Sequence, residues 1–302
     1  MNASPPNRRV FLSLPVPKNL DPRRQRLRTG LIERIRKAGY QPEIFLEEGL
    51  AAALAWSMEN VSHVMQRCVG IAILAMPRWT FAEGDRRLQL ASEFHQYEGA
   101  IAFSLGLPLL VTVERGVEER GVLWTSSGPI LFLEADDDES WFESERFLRR
   151  FGIWKQAMNA RSDVFLGYCS KAKDVANAVH LYLSTTLGVS VENWAMDFGP
   201  GGIILDKIQR AARNCTCGIF LFTTDDPLEG DTERAAPRDN VVFETGFFAS
   251  SRGPDHILII REDGAKMPAD LGGNIYVPLR KDRDIGPIQE SIRRFVRERV
   301  GV

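Results

Sequence analysis

The chain has 302 residues, a formal net charge of -2, 44% hydrophobic and 26% charged residues. That length predicts two domains of roughly 150 residues each, and the near-zero charge argues against nucleic acid as a direct partner. No apolar run approaches the ~20 residues of a membrane span. The lead Met1-Asn2-Ala3-Ser4-Pro5-Pro6 has no apolar signal core, and Cys68, Cys169, Cys215 and Cys217 lack paired-zinc spacing. These features lead to the expectation of a cytoplasmic protein with buried thiols, no metal centre and no membrane contact.

In chain order, Arg9 to Leu14 reads as a buried strand and Asp21 to Ala38 as a helix with Leu27, Leu31 and Ile35 on one face, ended by Gly39. Tyr40 to Leu46 is a second strand, and Leu50 to Arg67 a second helix. Val69 to Ala75 is a continuous apolar run, the pattern of a central parallel strand. Leu88 to Leu105 is predicted as a helix carrying Glu98, followed by strands at Pro108 to Val113 and Pro129 to Leu133. The acidic segment Glu134 to Glu139 reads as solvated surface, and Trp141 to Ala160 as an amphipathic helix. This β/α alternation calls for a parallel sheet covered by helices.

The pattern then restarts, which places a domain boundary between residues 157 and 158. Val164-Phe165-Leu166-Gly167-Tyr168 echoes Val10-Phe11-Leu12-Ser13-Leu14, Lys173 to Leu187 echoes the first helix, and Val189 to Trp194 the second strand. A helix from Ile203 to Asn214 leads into Cys215 to Phe222, which echoes Cys68 to Ala75. The interval from Gly70 to Glu98 is 28 residues, and from Gly218 to Glu244 it is 26. Order kept at a fixed period predicts two tandem α/β domains of flavodoxin-like type, residues 1–157 and 158–302, each a parallel sheet flanked by helices.

Arg238-Asp239-Asn240-Val241-Val242-Phe243-Glu244-Thr245-Gly246-Phe247-Phe248 reads as a helix start with Asp239 as N-cap. Glu244 stands among apolar residues, so it either points to water or is buried at a cost of several kcal/mol without a partner or ligand. Asn240, one turn earlier, shares its face. Ligands in such sheets bind beyond the carboxyl ends of the strands. Those ends carry Gly167-Tyr168-Cys169-Ser170, Trp194 to Gly202, and Thr223-Thr224-Asp225-Asp226. Gly199-Pro200-Gly201-Gly202 opens a helix and could face phosphate. Trp194 and Phe198 suit stacking on a ring or anchoring a loop. Arg238 suits a phosphate or pairing with Asp225 or Asp226, and Ser170 a ribose contact or a turn.

Several of these segments together resemble a known family. Asp163 to Gly167, Trp194 with Phe198-Gly199 and Gly202, Gly218 to Asp226, Pro237 to Phe248 and Met267 to Gly273 are similar to the bacterial TIR-like, nucleotide-binding effector domains. That family is known as the NAD-cleaving effector attached to sensors in CD-NTase antiphage systems. The resemblance covers about residues 163 to 295 and implies a TIR-like fold with Glu244 as the catalytic residue. It also implies a substrate surface drawn from Tyr168, Ser170, Trp194, Phe198, Gly199, Asp226, Arg238 and Asn240. Thr245 departs from the larger apolar residue usual there. NAD is then the substrate and no cofactor or metal is called for. A nucleotide activator, possible cyclic nucleotides among them, and self-association are expected, as is NAD depletion during infection.

Ser92 to Ala102 with Gly106-Leu107-Pro108 weakly resembles the TIR and nucleoside-deoxyribosyltransferase-like clan. Glu98 holds the place of the clan's catalytic Glu, with Phe94 where the second half has Asn240, making the first half a sensor, a structural copy or a second site. For the whole chain the resemblance implies NAD+ glycohydrolysis, against a cyclic ADP-ribose-type messenger synthase or a non-catalytic nucleotide-binding adaptor.

Overall fold

The structure, a computed structural model, describes residues 8–84, 86–193, 204–271, 273 and 276–301. The chain divides between Ala160 and Arg161 into two compact units. The first holds β1 (Arg9–Ser13), α1 (Pro22–Lys37), β2 (Gln41–Glu43), α2 (Met58–Met65), β3 (Cys68–Ala75), β4 (Trp79–Glu83), β5 (Arg86–Leu90), α3 (Phe94–Ser104), β6 (Leu109–Glu114), β7 (Ile130–Leu133) and α4 (Glu145–Asn159). Its parallel sheet has the order β2-β1-β3-β6-β7. All eight residues of β3 are buried, because helices cover both faces of a central parallel strand. One face packs on Leu27, Leu31, Phe147 and Phe151, the other on Val61, Val64 and Ala102.

The second unit holds β8 (Ser162–Gly167), α5 (Lys173–Leu181), β9 (Val191–Asn193), α6 (Ile204–Asn214), β10 (Cys215–Phe222), β11 (Asp226–Leu228), β12 (Asp231–Ala236), α7 (Asp239–Arg252), β13 (Ile257–Glu262), β14 (Tyr276–Leu279) and α8 (Gln289–Val300). Its sheet, β14-β13-β10-β8-β9, is the same topology read from the opposite edge. Both units are therefore α/β domains with a five-stranded parallel sheet and the switch in strand order beside the central strand. In such sheets the carboxyl-end crevice lies at that switch.

Local details depart from the sequence reading. Residues 88–90 are not helical: Arg-Arg-Leu-Gln-Leu alternates polar and apolar side chains, and β5 pairs antiparallel with β4. The helix carrying Glu98 starts only at Phe94. Residues 50–67 split into a 3-10 turn, Gly49–Ala53, and α2, whose start is set by Ser57 accepting from the Asn60 N–H. The helix expected from Trp141 starts at Glu145, capped by Ser144. The helix expected to reach Leu187 ends at Leu181 and closes with a π turn at Tyr182–Thr186. A second antiparallel hairpin, β11–β12, follows the central strand of the second unit. All four cysteines are buried and free. Among the described residues no helix is long and apolar enough to cross a membrane.

Candidate functional site

In the second unit β8 and β10 run side by side, with Gly167 opposite Phe220. The helix α7 lies across them, anchored by Val241 and Phe248. Phe248 stacks on Phe165 at 4.9 Å and meets Phe220 edge-on at 5.4 Å. Glu244 sits beside this aromatic floor and is only 2% exposed, which removes the reading of a solvated glutamate. Its Oε2 has no hydrogen-bond partner among the described residues. Burial alone pushes its carboxyl up to about 8.

Gly167, the last residue of β8, permits this approach. A Cβ there would stand 2.5 Å from the Phe220 ring and 3.1 Å from Glu244 Oε2. The missing side chain leaves the carboxylate against bare backbone at the end of the strand.

The start of α7 is held by a residue other than the expected cap. Arg238 is the N-cap, Asp239 is already helical, and no side chain of the cap itself closes the turn. Asp225, 2% exposed, does so from the β10 end: its Oδ2 accepts the Arg238 N–H at 3.0 Å, and its Oδ1 accepts from Thr223 Oγ1 at 2.8 Å and Cys169 Sγ at 2.9 Å. Lys171 Nζ donates to the Asp225 carbonyl at 2.6 Å. One buried carboxylate thus joins the ends of β8 and β10 to the helix bearing Glu244. The Asp225-Asp226 pair drew attention in the sequence, but nothing in it distinguished the buried member from the exposed one.

The remaining expected site residues are distributed around this centre. Asp226 pairs with Arg238 (Oδ1 to Nη1, 3.2 Å) at the half-exposed rim. Tyr168 is buried and its hydroxyl donates to Asn193 Oδ1 at 2.8 Å, joining β8 to β9. Ser170 is exposed at the turn after β8, and Asn240 is exposed on the first turn of α7, one turn before the buried Glu244. Trp194, Phe198 and Gly199, with the rest of the loop to Gly202, lie outside the described residues. Among the described residues no group of three or more His, Cys, Asp or Glu is placed to hold a metal ion.

The first unit has a corresponding carboxylate in other company. Glu98, 6% exposed on α3, accepts from the Ser13 hydroxyl through Oε2 and from Trp56 Nε1 through Oε1 at 2.8 Å. Burial still raises it, to about 7, against the lowering effect of those two hydrogen bonds. His95 Nδ1 lies 2.6 Å from Ser13 Oγ.

Residues 163–281 match the family model described as CAP12/Pycsar effector protein, TIR domain. CD-NTase-associated protein 12 of Flavobacterium daejeonense is 33% identical over 120 residues, 39% of this chain and 38% of that protein. The Pycsar effector protein BcPycTIR of Burkholderia cepacia is 27% identical over 165 residues, 51% of this chain and 53% of that one. CD-NTase-associated protein 12 of Sphingobacterium faecium is 30% identical over 137 residues, 43% and 41% of the two chains. The chain thus spans about half or less of each of these relatives.

Proposed function

Residues 163–281 form a TIR domain of the CAP12/Pycsar effector family, and on that premise we propose that the second unit is an NAD+ glycohydrolase acting as an antiphage effector. The observation that carries the reading is Glu244, a nearly fully buried carboxyl at the ligand edge of the sheet with one oxygen that has no partner among the described residues. NAD joins ribose C1′ to a cationic pyridinium nitrogen. When that bond breaks, its electron pair passes to nitrogen, neutral nicotinamide leaves, and positive charge develops on the ribosyl ring. A carboxylate beside the ring stabilises this charge, as in other glycosyl hydrolyses. Water then adds to C1′ and loses its proton, giving ADP-ribose.

The apolar floor holds Glu244 neutral in the ligand-free protein, and an adjacent pyridinium cation favours its ionised form. Substrate thus generates the charge that its own transition state uses. Arg238 and Asp226 at the rim suit the pyrophosphate and a ribose hydroxyl, and Asn240 a second ribose contact. The relatives' names, CD-NTase-associated protein and Pycsar effector, support regulation by a nucleotide signal, which we assign to the first unit, with self-association as the means of switching.

The test is nicotinamide release from NAD by the full chain and by Glu244→Gln, with and without a panel of cyclic nucleotides and across protein concentration. Wild type releases nicotinamide under at least one condition, and the variant loses more than about 100-fold, or ~3 kcal/mol on the barrier. Equal release by the variant, or none by wild type under any condition, would sink the reading. Product mass separates ADP-ribose from a cyclised form.

A further inference from the structure

We infer that Asp225 is a positioning residue for the reaction proposed at Glu244: it pins the start of α7 to the ends of β8 and β10 and so fixes where the Glu244 carboxyl stands. The inference rests on that reading for its chemistry, while the placement of Glu244 is measurable without turnover.

Asp225 lies in the turn between β10 and the β11–β12 hairpin and is 2% exposed. It offers substrate almost no surface, so any effect on turnover passes through its partners. A buried carboxylate needs donors in place of the water it has lost. Three supply them: the Arg238 N–H to Oδ2 at 3.0 Å, and the Thr223 hydroxyl and Cys169 thiol to Oδ1 at 2.8 and 2.9 Å. The main chain is tied as well. The Asp225 N–H donates to the carbonyls of Thr223 and Ala236, at 3.0 and 3.2 Å, and its own carbonyl accepts from Lys171 Nζ. The bonds to Ala236 and Arg238 close the base of the hairpin, so the chain leaving β10 and the chain entering α7 meet at one residue.

The rest of α7 is held in another way. Val241 and Phe248 pack it into the core of the unit, and apolar contact is non-directional. It resists withdrawal from the sheet more than it resists sliding or tilting. A hydrogen bond to an ionised acceptor is directional and stronger than a neutral one. Arg238 is the N-cap, and its own side chain closes no cap bond, so the entry of the helix depends on Asp225. Glu244 stands four residues before Phe248, about 6 Å along the axis. If α7 pivots on Phe248 by about 10°, Glu244 moves by about 1 Å, a displacement large enough to cost roughly 100-fold in rate.

The experiment compares the full chain with Asp225→Asn, Arg238→Pro and Arg238→Ala. It measures kcat and KM for nicotinamide release and titrates Glu244 by 13C NMR. Arg238→Pro removes the N–H that Asp225 holds, at a φ of -60° that already suits proline. Arg238→Ala removes the side chain alone. We expect Asp225→Asn to lower kcat about tenfold or more against wild type, and Arg238→Pro by as much against Arg238→Ala, with KM within about threefold in each pair. The Glu244 midpoint, about 8 in the wild type, falls to about 7 or lower in Asp225→Asn and Arg238→Pro as the carboxyl leaves its apolar floor. Because Arg238→Pro keeps the Asp225 carboxylate, its fall reports position and not the loss of that charge. The inference is overturned if Arg238→Pro matches Arg238→Ala in both readouts, or if Glu244 titrates in Asp225→Asn as in wild type. Should one of the two variants not fold, the other decides. Should neither fold, Asp225 supports the whole domain and not the placement of Glu244, and the inference fails. If wild type releases no nicotinamide, the NAD reading fails by itself, and the titrations still decide this one.

Discussion

Glu98 and Glu244 sit on the helix that follows the central strand in two copies of one topology, and each faces the last residue of the first strand of its sheet. In the first unit that residue is Ser13, whose hydroxyl binds Glu98, and Trp56 supplies a second donor. In the second it is Gly167, which offers no side chain, and Glu244 Oε2 accepts from none of the described residues. The same fold thus holds one carboxylate satisfied within its unit and another with an oxygen that no described residue satisfies. At the strand end the difference is one side chain, Ser13 against Gly167.

The largest expected effect breaks the comparison directly. Glu244→Gln loses more than about 100-fold in nicotinamide release. Activity lost in Glu98→Gln but kept in Glu244→Gln would reverse the roles of the two units.

Stability against pH sharpens the contrast. The Glu244 carboxyl stands at about 8 in the fold against an ordinary value of 4.5. The folded state therefore keeps a proton that the unfolded chain releases, and stability falls as pH rises from about 4.5 to 8, then levels. Glu244→Gln removes this loss. Thermal unfolding should show the variant gaining on wild type between pH 5 and pH 8, by about 3–4 kcal/mol over that interval. A gap that stays constant with pH would count against a Glu244 held in its raised, buried state. For Glu98 the corresponding window closes near pH 7, and the gain is smaller because two hydrogen bonds to the carboxylate are weakened by the amide.

Gly167→Ala forces a methyl into the Phe220 ring and toward Glu244. We expect a cost of about 1–3 kcal/mol in denaturant unfolding and a fall in turnover. A neutral result would mean that the aromatic floor yields easily. Ser13→Ala should cost about 1–2 kcal/mol and raise the Glu98 pKa, measurable by carboxyl 13C titration, since it removes a donor to the charged form. An unchanged Glu98 titration would show that Ser13 does not hold it. The smallest effect is Arg238→Ala: its rim pairing with Asp226 is about half exposed, so stability shifts by less than about 1 kcal/mol, while KM for NAD rises more than kcat falls.

Much of this was legible without coordinates. The unbroken apolar runs at Val69 to Ala75 and Cys217 to Phe222 identify central strands, because a strand covered on both faces carries few polar side chains. Repetition of their flanking elements identifies two copies of one fold. The hairpin β4–β5 is masked in sequence by the stronger helix signal that follows it, and β11–β12 by strands, DPL and DTERAA, with few apolar side chains. Asp239 looked like the cap of α7, but the buried Asp225 receives the Arg238 N–H from across the site. A hydrogen bond from the turn after β10 leaves no mark in local spacing.

For Glu244, the sequence by itself determined a carboxylate on an apolar helix and a resemblance that assigns it a reaction. Whether that carboxylate pointed to water or inward was decided only by tertiary structure, because burial depends on what the neighbouring strand ends present. The distinction between Ser13 and Gly167, one hydroxyl against none, is present in the sequence as two letters. Its meaning arises only when the fold brings each strand end against its own glutamate, where a donor either satisfies the charge or is absent.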